Sequence, residues 1–231
     1  MKHSQEVCLD IISINYDKVI EEICASTPQL SLIDGFAIES RTGTRYWKPS
    51  VFDAIPDNPG KSKRFLRLYK LHGSLDWRIA YDGKLESVRA EEKCADTGRY
   101  RDNVLIYPTQ QCSSEKEPYD ALLKGFADSL ERARVLVVIG YSFRDPPIND
   151  AFREFLKRDS GRRLIAISPS ASKNLDERFP LRSVKKKGLE KQVFPLDCEF
   201  PSENLFVSLA DIIRDTRSRF IHALMNGELI S

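Results

Sequence analysis

The run Val135-Leu136-Val137-Val138-Ile139, closed by Gly140 and followed by Tyr141-Ser142-Phe143-Arg144-Asp145-Pro146-Pro147, leaves this chain few folds to choose from. An unbroken β-branched, apolar run suits a strand buried on both faces, the habit of parallel rather than half-exposed antiparallel sheets. Glycine ends the run. The proline pair then favours the first turn of a helix, which the pattern carries to about Arg158. After Gly161 a second apolar run, Arg163 to Ser168, repeats the first. Strand, helix and strand of these lengths predict a right-handed βαβ crossover. The expected class is α/β.

Two earlier segments fit the same scheme. Ile11-Ile12-Ser13-Ile14 reads as a strand, and Asp17 stands where an acidic residue favours the start of the helix that Lys18-Val19-Ile20-Glu21-Glu22 continues. Asn15 and Asp17 then lie near the C-terminal end of a strand, the edge of an open α/β sheet where ligands bind. Phe65 to Tyr69 reads as another short strand, and Lys70-Leu71-His72-Gly73-Ser74 follows it with a Gly-Ser turn. Of the three histidines in the chain, His72 alone is bracketed by turn residues and aromatics. Imidazole titrates nearest neutrality of all side chains, which makes His72 a candidate general base.

These three segments, in this order, resemble the motifs of the sirtuin-like NAD-consuming family. Ile12-Ser13-Ile14-Asn15-Tyr16-Asp17 is similar to its Thr-Gln-Asn-x-Asp or Thr-Thr-Asn-Tyr-Asp motif. Leu71-His72-Gly73-Ser74 is similar to Leu-His-Gly-Ser, and Gly140-Tyr141-Ser142 through Asp145 to Ile148-Asn149 to Gly-Tyr-Ser-x-x-Asp-x-x-Ile-Asn. The last variant, with the Tyr-Asp pair, points to the bacterial, anti-phage branch. The resemblance implies a Rossmann-like parallel sheet and NAD as substrate. It makes Asn15 the residue that orients water or a ribose hydroxyl, Asp17 an acceptor for the nicotinamide carboxamide, and His72 the base. Gly140 and Ser142, with Tyr141, Asp145 and Asn149 in the same motif, would bind the cofactor's ribose or phosphate. Ser168 would meet the adenosine ribose. The family's upstream glycine-rich loop has no counterpart before Ile11, so the sheet is expected to be incomplete at its N-terminal edge.

The remaining sequence reads as elaboration of a single domain, 1–231. Stretches 28–64 and 78–118 are irregular insertions that form a small subdomain or lid. Within the first, Phe36 to Ser40 and Thr44 to Trp47 read as a hairpin about Arg41-Thr42-Gly43, with Trp47 packed inside. Pro118 to Ala133 is an amphipathic helix with Leu122, Leu123, Phe126, Leu130 and Ala133 on one side. A closing helix is expected from Ser202. The basic run Lys185-Lys186-Lys187 reads as an exposed loop.

Composition narrows the function. A net charge of +2 offers no footprint for nucleic acid. No apolar stretch approaches the roughly 18 residues of a membrane span, and the N-terminus lacks the core of a signal peptide, so a cytoplasmic location is expected. The cysteines, Cys8, Cys24, Cys94, Cys112 and Cys198, form no Cys-x-x-Cys pair, so neither a disulfide framework nor a metal is expected. Sirtuin deacylases carry a cysteine-rich zinc module after the histidine motif, and this chain has none there. An NAD hydrolase that releases nicotinamide and ADP-ribose is therefore the leading expectation, as a homo-oligomer or with a partner chain of a defence system. A non-catalytic NAD- or ADP-ribose-binding or assembly module is the alternative, and a protein deacylase the third reading.

Overall fold

The computed structural model describes residues 8–53, 64–88, 98–105, 117–179 and 188–199. The chain divides into two compact units, residues 1–126 and 127–231. Each holds a parallel sheet with helices, the α/β architecture expected. The basic 183–187 run and the helix expected from Ser202 lie outside the described residues.

In the first unit, β1 (Cys8–Ser13) leads through a short turn to α1 (Val19–Ser26) and β2 (Leu30–Ile33). β3 (Phe36–Ile38) and β4 (Arg45–Trp47) form the hairpin read from the sequence, Phe36 opposite Trp47. β5 (Arg64–Lys70) then pairs in parallel with both β1 and β2, giving the order β1-β5-β2. The 28–64 stretch is thus not wholly irregular. Leu30-Ser31-Leu32-Ile33 is a sheet strand, too short for its alternation to show among the surrounding prolines and glycines.

The Leu71–His72 turn reverses β5 into β6 (Gly73–Ala80), the centre of a second, antiparallel sheet with β7 (Leu85–Ser87) and β8 (Tyr100–Leu105), in the order β3-β4-β7-β6-β8. This departs from the Gly-Ser turn expected: Gly73 and Ser74 open a strand, and the turn lies two residues earlier. Gly73 still adopts a left-handed φ of 84°, which is why glycine chemistry marks the spot. An aromatic cluster fills the interior. Phe36, Trp47 and Trp77 lie with ring centres 5.3–5.9 Å apart, and Phe52 stacks on Tyr69 at 4.6 Å. Trp47 is therefore a packing residue, as expected, with its indole N–H donated to Glu117 at 2.7 Å.

Helix α2 (Tyr119–Arg132) follows. Its Leu122, Phe126 and Leu130 are buried, spaced one turn apart, while Leu123 is partly exposed. The second unit holds β9 (Val135–Ile139), α3 (Pro146–Arg158), β10 (Arg163–Ser168), α4 (Ala171–Arg178) and β11 (Val193–Asp197). The strands are all parallel, in the order β11-β10-β9, so α3 is the expected crossover. The two apolar runs fare differently. β10, flanked on both sides, buries Leu164, Ile165, Ala166 and Ile167 almost completely, whereas β9 leaves Val137 and Ile139 39% and 48% exposed. Among the described residues β9 has only β10 beside it.

Candidate functional site

β1 and β5 run side by side, Ser13 in register with Lys70, so the turns that leave them emerge together at the C-terminal edge of one parallel sheet. One turn is Asn15-Tyr16-Asp17 and the other Leu71-His72. Asn15 and Asp17 are exposed and His72 is half-buried. The rings of Tyr16 and His72 lie 6.5 Å apart. Backbone bonds lace the turns: Leu71 N–H to the Ser13 carbonyl at 2.9 Å, and Leu75 N–H to the Tyr16 carbonyl at 3.0 Å. The sequence-predicted trio Asn15, Asp17 and His72 is thus assembled within the first unit.

Local chemistry shapes both turns. The Asn15 N–H bonds the Ser13 hydroxyl at 3.1 Å, and the Asp17 carboxylate accepts the Val19 N–H at 3.1 Å, opening α1. Gly73 holds its left-handed backbone hard against the Val104 carbonyl of β8, a place no side chain could occupy.

Beneath the turns lies a buried ionic group. The Lys70 ammonium, 3% exposed, donates to the Asp17 carbonyl, to the Ser74 hydroxyl at 2.9 Å and to the Glu21 carboxylate at 3.1 Å. Asp76, also buried, pairs with Lys18 at 3.1 Å and accepts the Ser87 hydroxyl at 2.7 Å. Burial pushes the Glu21 carboxyl up, partly opposed by Lys70. Burial acts the same way on Asp76, but the Ser74 and Ser87 hydroxyls and the Lys18 ammonium prevail and hold its carboxyl below the ordinary range. Sequence reading gave these residues no role. The signal was present: Lys70 is a charge set in the run Leu68-Tyr69-Lys70-Leu71, every member of which is buried. A lysine there requires a buried partner.

In the second unit the motif after β9 folds into a closed turn. Asp145 accepts the Ile148 N–H at 3.3 Å and caps α3, with Pro146 and Pro147 in its first turn. The Asn149 amide donates to the carbonyls of Phe143 at 2.9 Å and Arg178 at 3.4 Å, and its oxygen faces the Tyr141 hydroxyl at 3.2 Å. That hydroxyl also accepts the Asp145 N–H at 3.3 Å. Burial, with Asp145 nearby, pushes the Tyr141 hydroxyl well above the usual phenol range. Tyr141, Asp145 and Asn149 are therefore brought together, with their polar groups engaged in shaping the turn. Gly140 is exposed, with φ 68°, and its N–H reaches the Ile167 carbonyl at 2.9 Å. Ser142 gives its carbonyl to Arg178 at 3.2 Å. Ser168 ends the neighbouring strand β10, where its hydroxyl lies 3.4 Å from the Ser170 N–H.

Each of the three motifs thus follows the end of a strand. A family profile described as SIR2-like domain matches residues 10–190, well over half the chain and all three motifs. The chain belongs to the SIR2-like domain family. SIR2-like domains use NAD as substrate. No match to the chain is found among curated proteins. Among the described residues no group of three or more His, Cys, Asp or Glu could hold a metal. No helix among them is long and apolar enough to cross a membrane.

Proposed function

We propose that this SIR2-like protein is an NAD glycohydrolase, which cleaves the bond between nicotinamide and ribose with water. The observation that carries this reading is the pairing of the Asn15–Asp17 turn with the Leu71–His72 turn at one sheet edge. A nicotinamide–ribose bond breaks through an oxocarbenium-like state, so the protein must orient a nucleophile, accept its proton and hold the leaving group. Asn15 orients the water. His72 takes its proton as the new C–O bond forms, and nicotinamide departs with the electrons of the C–N bond. Asp17 accepts a hydrogen bond from the nicotinamide carboxamide. The products are nicotinamide, ADP-ribose and one proton.

The Asn-Tyr-Asp and Gly-Tyr-Ser-Phe-Arg-Asp variants support placement in the bacterial anti-phage branch, where NAD depletion would stop an infected cell. The test is nicotinamide release from NAD by the purified chain, with Asn15→Ala and His72→Ala alongside. Release that each substitution cuts by about 10²–10⁴ supports the reading. NAD binding with no release by the unaltered chain would instead select a binding module, and NAD-dependent removal of acetyl from an acetyl-lysine peptide would select a deacylase.

A further inference from the structure

We infer that Lys70 is a positioning residue that sets the Asn15–Asp17 turn against the His72 turn. The inference rests on the hydrolase reading for its kinetic consequence, though not for its structural one. An ammonium has three N–H donors. Lys70 spends them on three elements: the Asp17 carbonyl in the first turn, the Ser74 hydroxyl at the start of β6, and Glu21 in α1. The Ser74 hydroxyl in turn lies 3.3 Å from the Tyr16 carbonyl, beside the Leu75 N–H that bonds the same oxygen. Lys70 thereby ties the Asp17 carbonyl to the Ser74 hydroxyl, the Leu75 N–H holds the Tyr16 carbonyl, and Ser74 lies two residues from His72.

Side-chain entropy and desolvation argue against so buried a lysine unless its site uses it. An apolar residue of similar length would need no buried Glu21 partner. It could not fix the height of the Asp17 carbonyl. Displacement of about 1 Å at a reacting group can cost roughly 10² in rate, so the tie bears on catalysis although Lys70 touches no reacting atom.

The experiment uses the full chain with Lys70→Met/Glu21→Gln, which removes both buried charges together. Two readouts are needed: kcat and KM for nicotinamide release, and amide hydrogen exchange at Leu75 compared with Leu68 and Ile165. The expected result is a kcat lower by roughly 10² with KM nearly unchanged. Leu75 exchange should accelerate by about 10-fold or more while Leu68 and Ile165 keep their protection. Wild-type kcat in the double variant would overturn the inference, as would acceleration shared equally by all three amides. If the unaltered chain releases no nicotinamide, the hydrolase reading fails, and Leu75 exchange alone decides whether Lys70 sets the turns. Should the double variant not fold, Ser74→Ala removes the hydroxyl and keeps both charges. A several-fold loss of kcat with faster Leu75 exchange then supports the inference, and no change in either overturns it.

Discussion

The Cα of Gly73 lies so close to the Val104 carbonyl that a β-carbon there would overlap the oxygen. With φ at 84° the same residue also sits where L side chains are strained. Gly73→Ala meets both penalties, about 1–2 kcal/mol from the backbone and about 1–3 from overpacking. Urea unfolding should show a loss of about 3 kcal/mol. A midpoint within error of wild type would mean that β8 yields easily and that the glycine serves the turn alone.

Asp76 predicts an acid limb in stability. Its carboxyl is held below the ordinary range in the folded protein, so the unfolded chain takes up that proton first as pH falls. The contribution is complete above the unfolded value, near pH 4, and is lost as pH drops through it toward the lower folded value. Asp76→Asn should cost about 2 kcal/mol at pH 7. The gap should stay constant down to about pH 5 and narrow below pH 4. A gap that widens in acid would reverse the assigned direction.

The α/β class, the β9–α3–β10 crossover and the three motifs were legible because each is a local pattern: an apolar period, a glycine stop, a proline start. β2 was not, since four residues carry too little alternation to stand out from turn-rich neighbours. The exposure of Val137 and Ile139 was not legible either, because a run looks equally apolar whether its strand is central or has one neighbour. Lys70, Glu21 and Asp76 escaped for a third reason. Their meaning lies in pairing across 49 residues for Lys70 with Glu21, and a single sequence gives no distance between them.

The motif after β9 is held by Tyr141 and Asn149, and their coupling is measurable. Tyr141→Phe leaves the Asn149 oxygen and the Asp145 N–H without their hydroxyl partner, a loss of about 1–2 kcal/mol. Asn149→Ala releases the Phe143 and Arg178 carbonyls and should cost about 2 kcal/mol. Because the residues share one hydrogen bond, the double variant should fall short of the sum by about 0.5–1 kcal/mol. Strict additivity in a thermal or urea cycle would show that the 3.2 Å contact contributes nothing.

Asp17 has two separable tasks. Its carboxylate accepts the Val19 N–H in the turn that leads into α1, whose cap position is Lys18, and under the proposed mechanism it accepts a hydrogen bond from the nicotinamide carboxamide. Asparagine can accept the same Val19 N–H, whereas alanine loses that hydrogen bond, about 1 kcal/mol. Asp17→Asn should therefore unfold within about 0.5 kcal/mol of wild type, and Asp17→Ala about 1 below it. The asparagine keeps an acceptor oxygen but loses the charge, and a charge-assisted bond is roughly twice as strong as a neutral one. Nicotinamide, as a product inhibitor, should then bind about 10-fold more weakly to Asp17→Asn, a difference of about 1.4 kcal/mol. Inhibition constants for the two variants against wild type measure this. Unchanged inhibition in both would confine Asp17 to its turn and leave the leaving group to be held by another residue.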